Sequence, residues 1–355
     1  MEFKLKIRFP ILAVGIFTLL VGIWVGLQRM GWQFPGFEGQ LMLLHGPLMI
    51  AGFLGTVIGM ERAVAQNKLW QYLAPFFNGL GALLTIIGVE RSLAALLFAF
   101  GSLVLLIINF ELLRKHPSMH MAIMFFGAIS FFVGNILWLN NVPIFHIAMW
   151  WSSFLVLTIM GERLELSRIL QMTKGVKSFF IGGNAIYFMG IIVATFNFPM
   201  GMKITGIALL ALSYWLLRYD LARRSVKQPG LPKFIAQSLI IGYVWLTVGG
   251  ILALFFGDAP AGFYYDAILH SVLLGFVFSM IFGHAPLIFP AILDVNMVFA
   301  KRFYIHLYML HITLLLRVVS DVFLWNEGRL WGGILNGVSI LLFFVMTVTA
   351  VRKKQ

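Results

Sequence analysis

The sequence contains no cysteine, and it has few charged residues, particularly few acidic ones. Of its 355 residues only 11% are charged, and 13 Asp and Glu stand against 26 Lys and Arg. The lack of cysteine excludes disulfides, thiolate metal sites and thiol catalysis. Soluble domains carry about 25% charged residues, so this composition excludes an ordinary soluble domain.

Hydrophobic residues make up 61% of the sequence, and most of them fall in long apolar runs. A helix needs roughly 20 apolar residues to cross a hydrocarbon core of about 30 Å. The first run follows a basic start without a small-residue cleavage site, which predicts a retained helix rather than a signal peptide. The runs lie near 9–28, 39–60, 70–88, 91–112, 118–139, 144–161, 176–195, 200–219, 233–256, 264–285, 302–320 and 331–351. We therefore predict an all-α polytopic membrane protein with twelve transmembrane helices in one domain, residues 1–355.

The distribution of positive charge predicts the orientation of these helices. If the N-terminus is inside, the Lys and Arg residues that fall on the outer side are only Arg29, Arg91, Lys203, Arg317 and Arg329, of 26 in all. Inner connections of membrane proteins carry an excess of Lys and Arg. Both termini are thus expected to be cytoplasmic, and the net charge of +13 indicates orientation in a lipid bilayer rather than nucleic-acid binding.

Two helices share a spaced pattern. Residues 45–62 read HGPLMIAGFLGTVIGMER and residues 146–163 read HIAMWWSSFLVLTIMGER, and in both the Glu follows the His by 16 residues. Residues 270–286, HSVLLGFVFSMIFGHAP, repeat the plan with a His at the inner end. Helices 2, 6 and 10, which are four helices apart, therefore share this pattern. It predicts three pseudo-repeated four-helix units, at about 1–117, 118–228 and 229–355.

The repeat places three histidines at a similar depth near the outer face: His45, His146 and His270. If the units surround an axis, the three imidazoles meet there. Neutral imidazole is the commonest side-chain ligand of haem iron, copper and zinc. His311, in the middle of helix 11, is a candidate further metal ligand. The alternative for each histidine is a hydrogen bond to a neighbouring helix, which needs no cofactor.

A second set of polar residues lies at the inner ends of the same helices, and we call it the inner polar ring. It consists of Glu61, Arg62, Glu162, Arg163 and His284. One interpretation is a set of interfacial ion pairs that anchor helix ends. The other is a proton entry point that serves the outer site.

The layout resembles that of two known families. Twelve helices with histidines on helices 2, 6 and 10 resemble haem-copper oxidase subunit I. They resemble more closely the NnrS family, membrane proteins linked to haem, copper and nitric oxide stress. The motifs that carry the resemblance are His45 with its glycine-rich run, His146 through Gly161-Glu162-Arg163, and His270 through Gly283-His284-Ala285-Pro286.

The resemblance implies His45 and His270 as axial ligands of a haem, of b-type, and His146 as a copper ligand. It implies nitric oxide or a redox partner at the site, and a bacterial inner-membrane location. Two positions depart from the oxidase pattern, because Trp150 stands where the oxidase has Tyr and helix 7 offers Asn184 instead of a histidine pair. One haem or one metal is therefore expected rather than a full binuclear centre.

Three functions remain open at this point. The first is an NnrS-like haem- or copper-binding protein acting in nitric oxide response or redox chemistry. The second is a cofactor-free transporter or channel whose histidines bind a cation or proton in transit. The third is a membrane scaffold in which the histidines serve only as polar contacts. The residues do not decide whether the protein is an enzyme.

Overall fold

Long helices make up most of the computed structural model, which describes residues 2–35 and 43–352. Apart from short turns, they are α1 Glu2–Met30, α2 His45–Gln66, α3 Leu73–Ile86, α4 Arg91–Lys115, α5 Met119–Leu139, α6 Ile144–Leu166, α7 Lys174–Phe196, α8 Phe198–Tyr219, α9 Leu231–Phe256, α10 Phe263–Leu293, α11 Phe303–Val322 and α12 Asn326–Thr349. Two short strands, β1 Asn296–Met297 and β2 Val351–Arg352, pair antiparallel and join the ends of α10 and α12.

Eleven helices within the described residues are long and apolar enough to cross a membrane. The prediction of an all-α polytopic membrane protein is confirmed to this extent. The third predicted span, 70–88, differs from the other eleven. It begins with a 3-10 turn, Leu69–Tyr72, and continues as α3, which has 14 residues. At a rise of 1.5 Å per residue α3 is about 21 Å long, shorter than a hydrocarbon core of about 30 Å. It packs against α1, α2 and α4.

Polar residues in the connections define where several helices begin. The side chains of Ser118, Thr173 and Asn197 each accept a hydrogen bond from the backbone N–H three residues later. These bonds satisfy donors that the first turn of a helix leaves without an intrahelical partner. The tight connection from α5 to α6 contains Asn141 in the left-handed conformation, at φ 59°. The helix boundaries thus follow from local sequence.

Two of the helices are not regular α-helices throughout. Residues Leu48–Leu54 of α2 and Ser271–Phe278 of α10 form π-helical stretches. Each stretch begins shortly after one of the predicted outer histidines, His45 or His270. The π-helix is rare and is found frequently at functional sites. α2 and α10 therefore share a π-helical stretch next to the predicted outer histidine.

Glycines allow pairs of helices to approach closely. Gly206 on α8 and Gly250 on α9 face each other, because a Cβ on Gly206 would lie 2.8 Å from the carbonyl oxygen of Gly250. A Cβ on Gly250 would lie 3.0 Å from the carbonyl oxygen of Gly206. In lipid the hydrophobic effect does not drive helices together. Small residues allow the close van der Waals packing that stabilises such crossings instead.

We expect Gly206→Ala to destabilise the bundle by about 1–3 kcal/mol, because the backbone of Gly250 cannot yield to the added methyl group. Gly182→Ala is the matched control, since a Cβ on Gly182 meets nothing within 4 Å. The free energy of unfolding in mixed detergent micelles measures the difference. Equal stability of the two variants would contradict the packing of α8 on α9.

Candidate functional site

Two of the predicted outer histidines lie side by side. The ring centroids of His45 and His270 are 6.3 Å apart and their planes are inclined by 24°. A hydrogen bond at Nδ1 orients each ring. Nδ1 of His45 donates to the carbonyl oxygen of Gly22 at 2.7 Å. Nδ1 of His270 donates to the carbonyl oxygen of Asp266 at 2.9 Å. A carbonyl only accepts, so Nδ1 carries the proton in both rings. We call His45 and His270 the histidine pair.

The opposite ring nitrogens, Nε2, have no hydrogen-bond partner among the described residues. With the proton on Nδ1, each Nε2 has a lone pair and is an acceptor only. Two such nitrogens cannot hydrogen-bond to each other. Each Nε2 is therefore available to a hydrogen-bond donor or a metal ion. Neutral imidazole fixed by a bond at Nδ1 is the form in which histidine ligates metals.

The sequence around His45 makes room for its ring on a neighbouring helix. Gly26 on α1 lies directly against the imidazole, and a Cβ there would be 2.5 Å from Nδ1 of His45. Gly22, one turn earlier, supplies the accepting carbonyl. A larger residue at Gly26 would displace the ring, whereas one at Gly22 would meet the side chain of Met49. The glycines of α1 thus belong to the site.

An ion-pair network holds His270 from the other side. Asp266, one turn before His270, accepts two hydrogen bonds from Arg317, at 2.9 and 3.0 Å. Arg329 lies 3.6 Å from the same carboxylate and 3.0 Å from Asp321. Bidentate arginine–carboxylate pairs are strong and geometrically specific. Asp266 therefore fixes the turn of α10 that presents His270.

Sequence reasoning did not identify Asp266 as a site residue, and it counted Arg317 and Arg329 only as outer charges. Two signals were present. Asp266 precedes His270 by four residues, which places both on one helix face. Arg317 interrupts an apolar helix, and ionisable residues inside membrane helices are functional candidates by default.

The histidine pair opens into a cavity of about 300 Å³. Its charged lining comprises Arg29, Arg317, Arg329 and Asp266, so positive charge is in excess. Its apolar lining includes Ile23, Leu27, Met49, Ile50, Leu274 and Phe278. The cavity thus combines two imidazoles, a positive rim and apolar walls.

His146 lies away from the histidine pair, contrary to the expectation that three imidazoles meet. Its Nδ1 donates to the carbonyl oxygen of Ala194 at 3.0 Å, and its ring packs against Phe145 and Phe198. Other residues of α6 line the cavity, among them Trp151. The rotation of α6 therefore turns His146 towards α7 and α8.

His311 also has partners other than the histidine pair. Its Nδ1 accepts from Nε1 of Trp245 at 3.0 Å, and its Nε2 lies 3.4 Å from the hydroxyl oxygen of Ser279. Both ring nitrogens are engaged in joining α9, α10 and α11. His311 is a polar contact between helices and is not positioned as a ligand at the cavity.

No group of three or more His, Cys, Asp or Glu side chains converges to hold a metal ion anywhere in residues 2–35 and 43–352. A bare copper or zinc ion usually needs three or four protein ligands. The histidine pair supplies two.

The structure brings the inner polar ring together at the other end of α2, α6 and α10. Arg62 donates to Glu162 at 2.7 Å. Glu61 and His284 lie within electrostatic range of Glu162. Arg163 lies 3.9 Å from Asp220, a partner that sequence reasoning did not identify. Among the described residues, the direct ion pair between members of the ring is Arg62–Glu162, and Glu61 and His284 lie near it.

We expect Asp266→Asn to destabilise the protein by about 3–5 kcal/mol, because it leaves the buried Arg317 without its counter-charge. Glu111→Gln is the control. It removes one partner of the exposed pair Lys68–Glu111, and such surface pairs contribute about 0–1 kcal/mol. Denaturation followed in detergent micelles compares the two. A similar loss in both variants would show that Asp266 does not organise this end of the bundle.

The chain was compared with known proteins. No curated protein and no solved structure matches it. One family model matches residues 8–352, which is nearly the whole chain. The chain therefore belongs to the family described as a domain of unknown function, DUF8744.

Proposed function

We propose that this protein binds a b-type haem between His45 and His270, and that it serves nitric oxide response or redox chemistry in the manner of the NnrS family. The observation that carries the proposal is the spacing of the histidine pair. If the two Nε2 atoms faced each other across one metal, two metal–nitrogen bonds of about 2.0–2.1 Å, plus about 1.2 Å from each nitrogen to its ring centroid, would separate the centroids by about 6.4–6.6 Å. In the structure the centroids are 6.3 Å apart.

The protonation of the pair supports the same assignment. Both Nδ1 atoms donate to backbone carbonyls, which leaves both Nε2 atoms as available ligands. Two protein ligands would be sufficient to hold a haem, because its macrocycle supplies the other nitrogens. This favours haem over a copper ion at the pair. His146, the copper ligand that the resemblance implies, does not join it.

The lining of the cavity fits the remainder of such a group. Arg29, Arg317 and Arg329 would pair with its carboxylates, since guanidinium groups bind carboxylates bidentately. The apolar walls would cover the macrocycle and exclude water. Asp266 would keep the imidazole of His270 oriented through Arg317, as outer-shell partners do in metal sites.

When bound, haem supplies one-electron chemistry at iron, and the protein tunes it through the axial ligands and their surroundings. His45 and His270 would set the ligand field. The carbonyls of Gly22 and Asp266 would raise the basicity of the rings by accepting their Nδ1 protons. The positive rim would favour the form of the group that carries more negative charge.

We further propose a twelve-span topology in three four-helix units, with α3 as the twelfth span and both termini in the cytoplasm of a bacterium. The correspondence of α2 and α10 supports the repeat. Each carries a histidine at the cavity, continues into a π-helical stretch, and then carries members of the inner polar ring. The excess of Lys and Arg in the predicted inner segments supports the orientation.

One observation favours a second function, a cofactor-free transporter or channel for protons or cations. The inner polar ring holds ionisable groups in contact at the end of the bundle opposite the cavity. Chains of such groups form proton relays in membrane proteins. Proton uptake by the protein in liposomes, without a chromophore, would distinguish this function from haem binding.

The visible spectrum of the purified protein tests the proposal. We expect a Soret band and the sharp visible bands of six-coordinate iron with two imidazole ligands. His45→Ala and His270→Ala should each abolish these bands, because each removes one axial ligand. His146→Ala and His311→Ala are matched controls and should keep them, because neither ring reaches the cavity.

Two outcomes would contradict haem binding at the pair. One is a colourless protein after reconstitution with haemin. The other is a spectrum that survives in both His45→Ala and His270→Ala but disappears in His146→Ala.

A further inference from the structure

A second cavity, unrelated to the histidine pair, lies at the end of the bundle that holds the inner polar ring. It has a volume of about 450 Å³ and lies between the turn after α6 and the turn after α8. Four of its lining residues are basic: Arg218, Arg223, Arg224 and Lys227. We call it the basic pocket.

The one carboxylate in the lining of the basic pocket is neutralised from behind. Asp220 is 2% exposed. Its carboxylate accepts from the backbone N–H of Ala222 at 2.8 Å and from Ser167 at 3.4 Å, and it faces Arg163 at 3.9 Å. These contacts neutralise the carboxylate of Asp220, so it does not offset the positive charge of the pocket's basic side chains.

The four basic side chains have no acidic partner. None of the ion pairs among the described residues includes Arg218, Arg223, Arg224 or Lys227. The protein thus concentrates a charge of about +4 around one concavity. The positive-inside rule accounts for the number of cations on this side of the protein, but it does not require them to surround a cavity.

Contacts hold two of the four basic side chains. Arg223 donates to the carbonyl oxygen of Arg218 at 2.9 Å. The guanidinium of Arg218 lies over the ring of Tyr219, 5.4 Å from its centroid. Asp220 caps the single helical turn Ala222–Ser225 and so fixes the backbone that carries Arg223 and Arg224. Because Arg218 and Arg223 are partly ordered, an anion that binds them loses less side-chain entropy.

We propose that the basic pocket is a binding site for a phosphate group. Guanidinium groups match phosphate oxygens with paired hydrogen bonds, and several of them around one cavity form a phosphate site. The pocket also has an apolar side, formed by Leu170, Met172 and Val176. A basic cavity with an apolar side, between membrane helices, suits the head group of an anionic phospholipid. A soluble phosphate ester has the same recognition chemistry.

One isosteric substitution tests the site. Gln171 lines the basic pocket, so Gln171→Glu introduces a negative charge there without removing a cation. Gln228→Glu is the control, because Gln228 is exposed in the turn after α8 and does not line the pocket. We expect Gln171→Glu to weaken phosphate binding about fivefold, and Gln228→Glu to leave it unchanged.

A second pair of variants protects the test against misfolding. Arg224→Gln/Lys227→Gln removes two pocket cations, and Lys174→Gln/Lys177→Gln removes two exposed cations at the start of α7 that do not line the pocket. The first variant should bind phosphate about thirtyfold more weakly, and the second should bind as the unmodified chain does. Size-exclusion chromatography shows that each variant is folded.

The full chain is measured with two probes. Native mass spectrometry counts phosphatidylglycerol retained against phosphatidylcholine, and the shift of the thermal midpoint with inorganic phosphate reports soluble phosphate. Selective loss of phosphatidylglycerol in the pocket variants identifies a lipid head group. A phosphate-dependent shift lost in the same variants, without lipid selectivity, identifies a soluble ligand. If the pocket variants match the unmodified chain with both probes, the proposal is wrong.

Discussion

The anchoring of two imidazoles to backbone carbonyls is the interaction on which the rest of the site depends. His45 is bound to a carbonyl of another helix and His270 to one of its own helix. Backbone carbonyls cannot change protonation state, so each of these bonds favours the tautomer with the proton on Nδ1. The carboxylate of Asp266 lies 3.3 Å from Nδ1 of His270 and favours the same tautomer. The fold therefore leaves Nε2 of both rings as an acceptor, in two imidazoles whose centroids are 6.3 Å apart.

Because acidic residues are scarce, the two ends of the bundle differ in how many of their basic side chains are paired. Asp266 and Asp220 each engage arginines in the interior, but with opposite results for the nearby cavity. At the outer end, the arginines that pair with Asp266 also line the cavity, so their charge is shared between carboxylate and cavity. At the inner end, Asp220 is occupied by Arg163, and the basic side chains around it remain unpaired. The positions of Asp266 and Asp220 thus determine which basic side chains near each cavity remain unpaired.

Much of the fold could be predicted from the sequence because burial in lipid needs long apolar runs, and these are visible directly. The positions of Arg62 and Glu162 at the ends of two apolar runs are visible in the sequence, but their pairing between α2 and α6, and that of Arg163 with Asp220, could not be predicted. The position of His146 could not be predicted either. Depth in a membrane follows from counting residues along a helix, whereas direction depends on the rotation of that helix, which its neighbours determine. The partners of Asp266 escaped prediction for a related reason, since Arg317 lies on a helix 51 residues away in sequence.

The π-helical stretches of α2 and α10 affect how the two ends of each helix are related. An α-helix turns by about 100° per residue, so an extra residue in a regular helix rotates everything beyond it by about that angle, whereas a π-helical turn absorbs it. The stretch Leu48–Leu54 therefore sets the phase between His45 and Arg62 on α2. Regular α-winding of the same residues would rotate Arg62 away from Glu162, its partner on α6. The winding of this stretch thus relates the positions of the two polar sites as much as the residues themselves do.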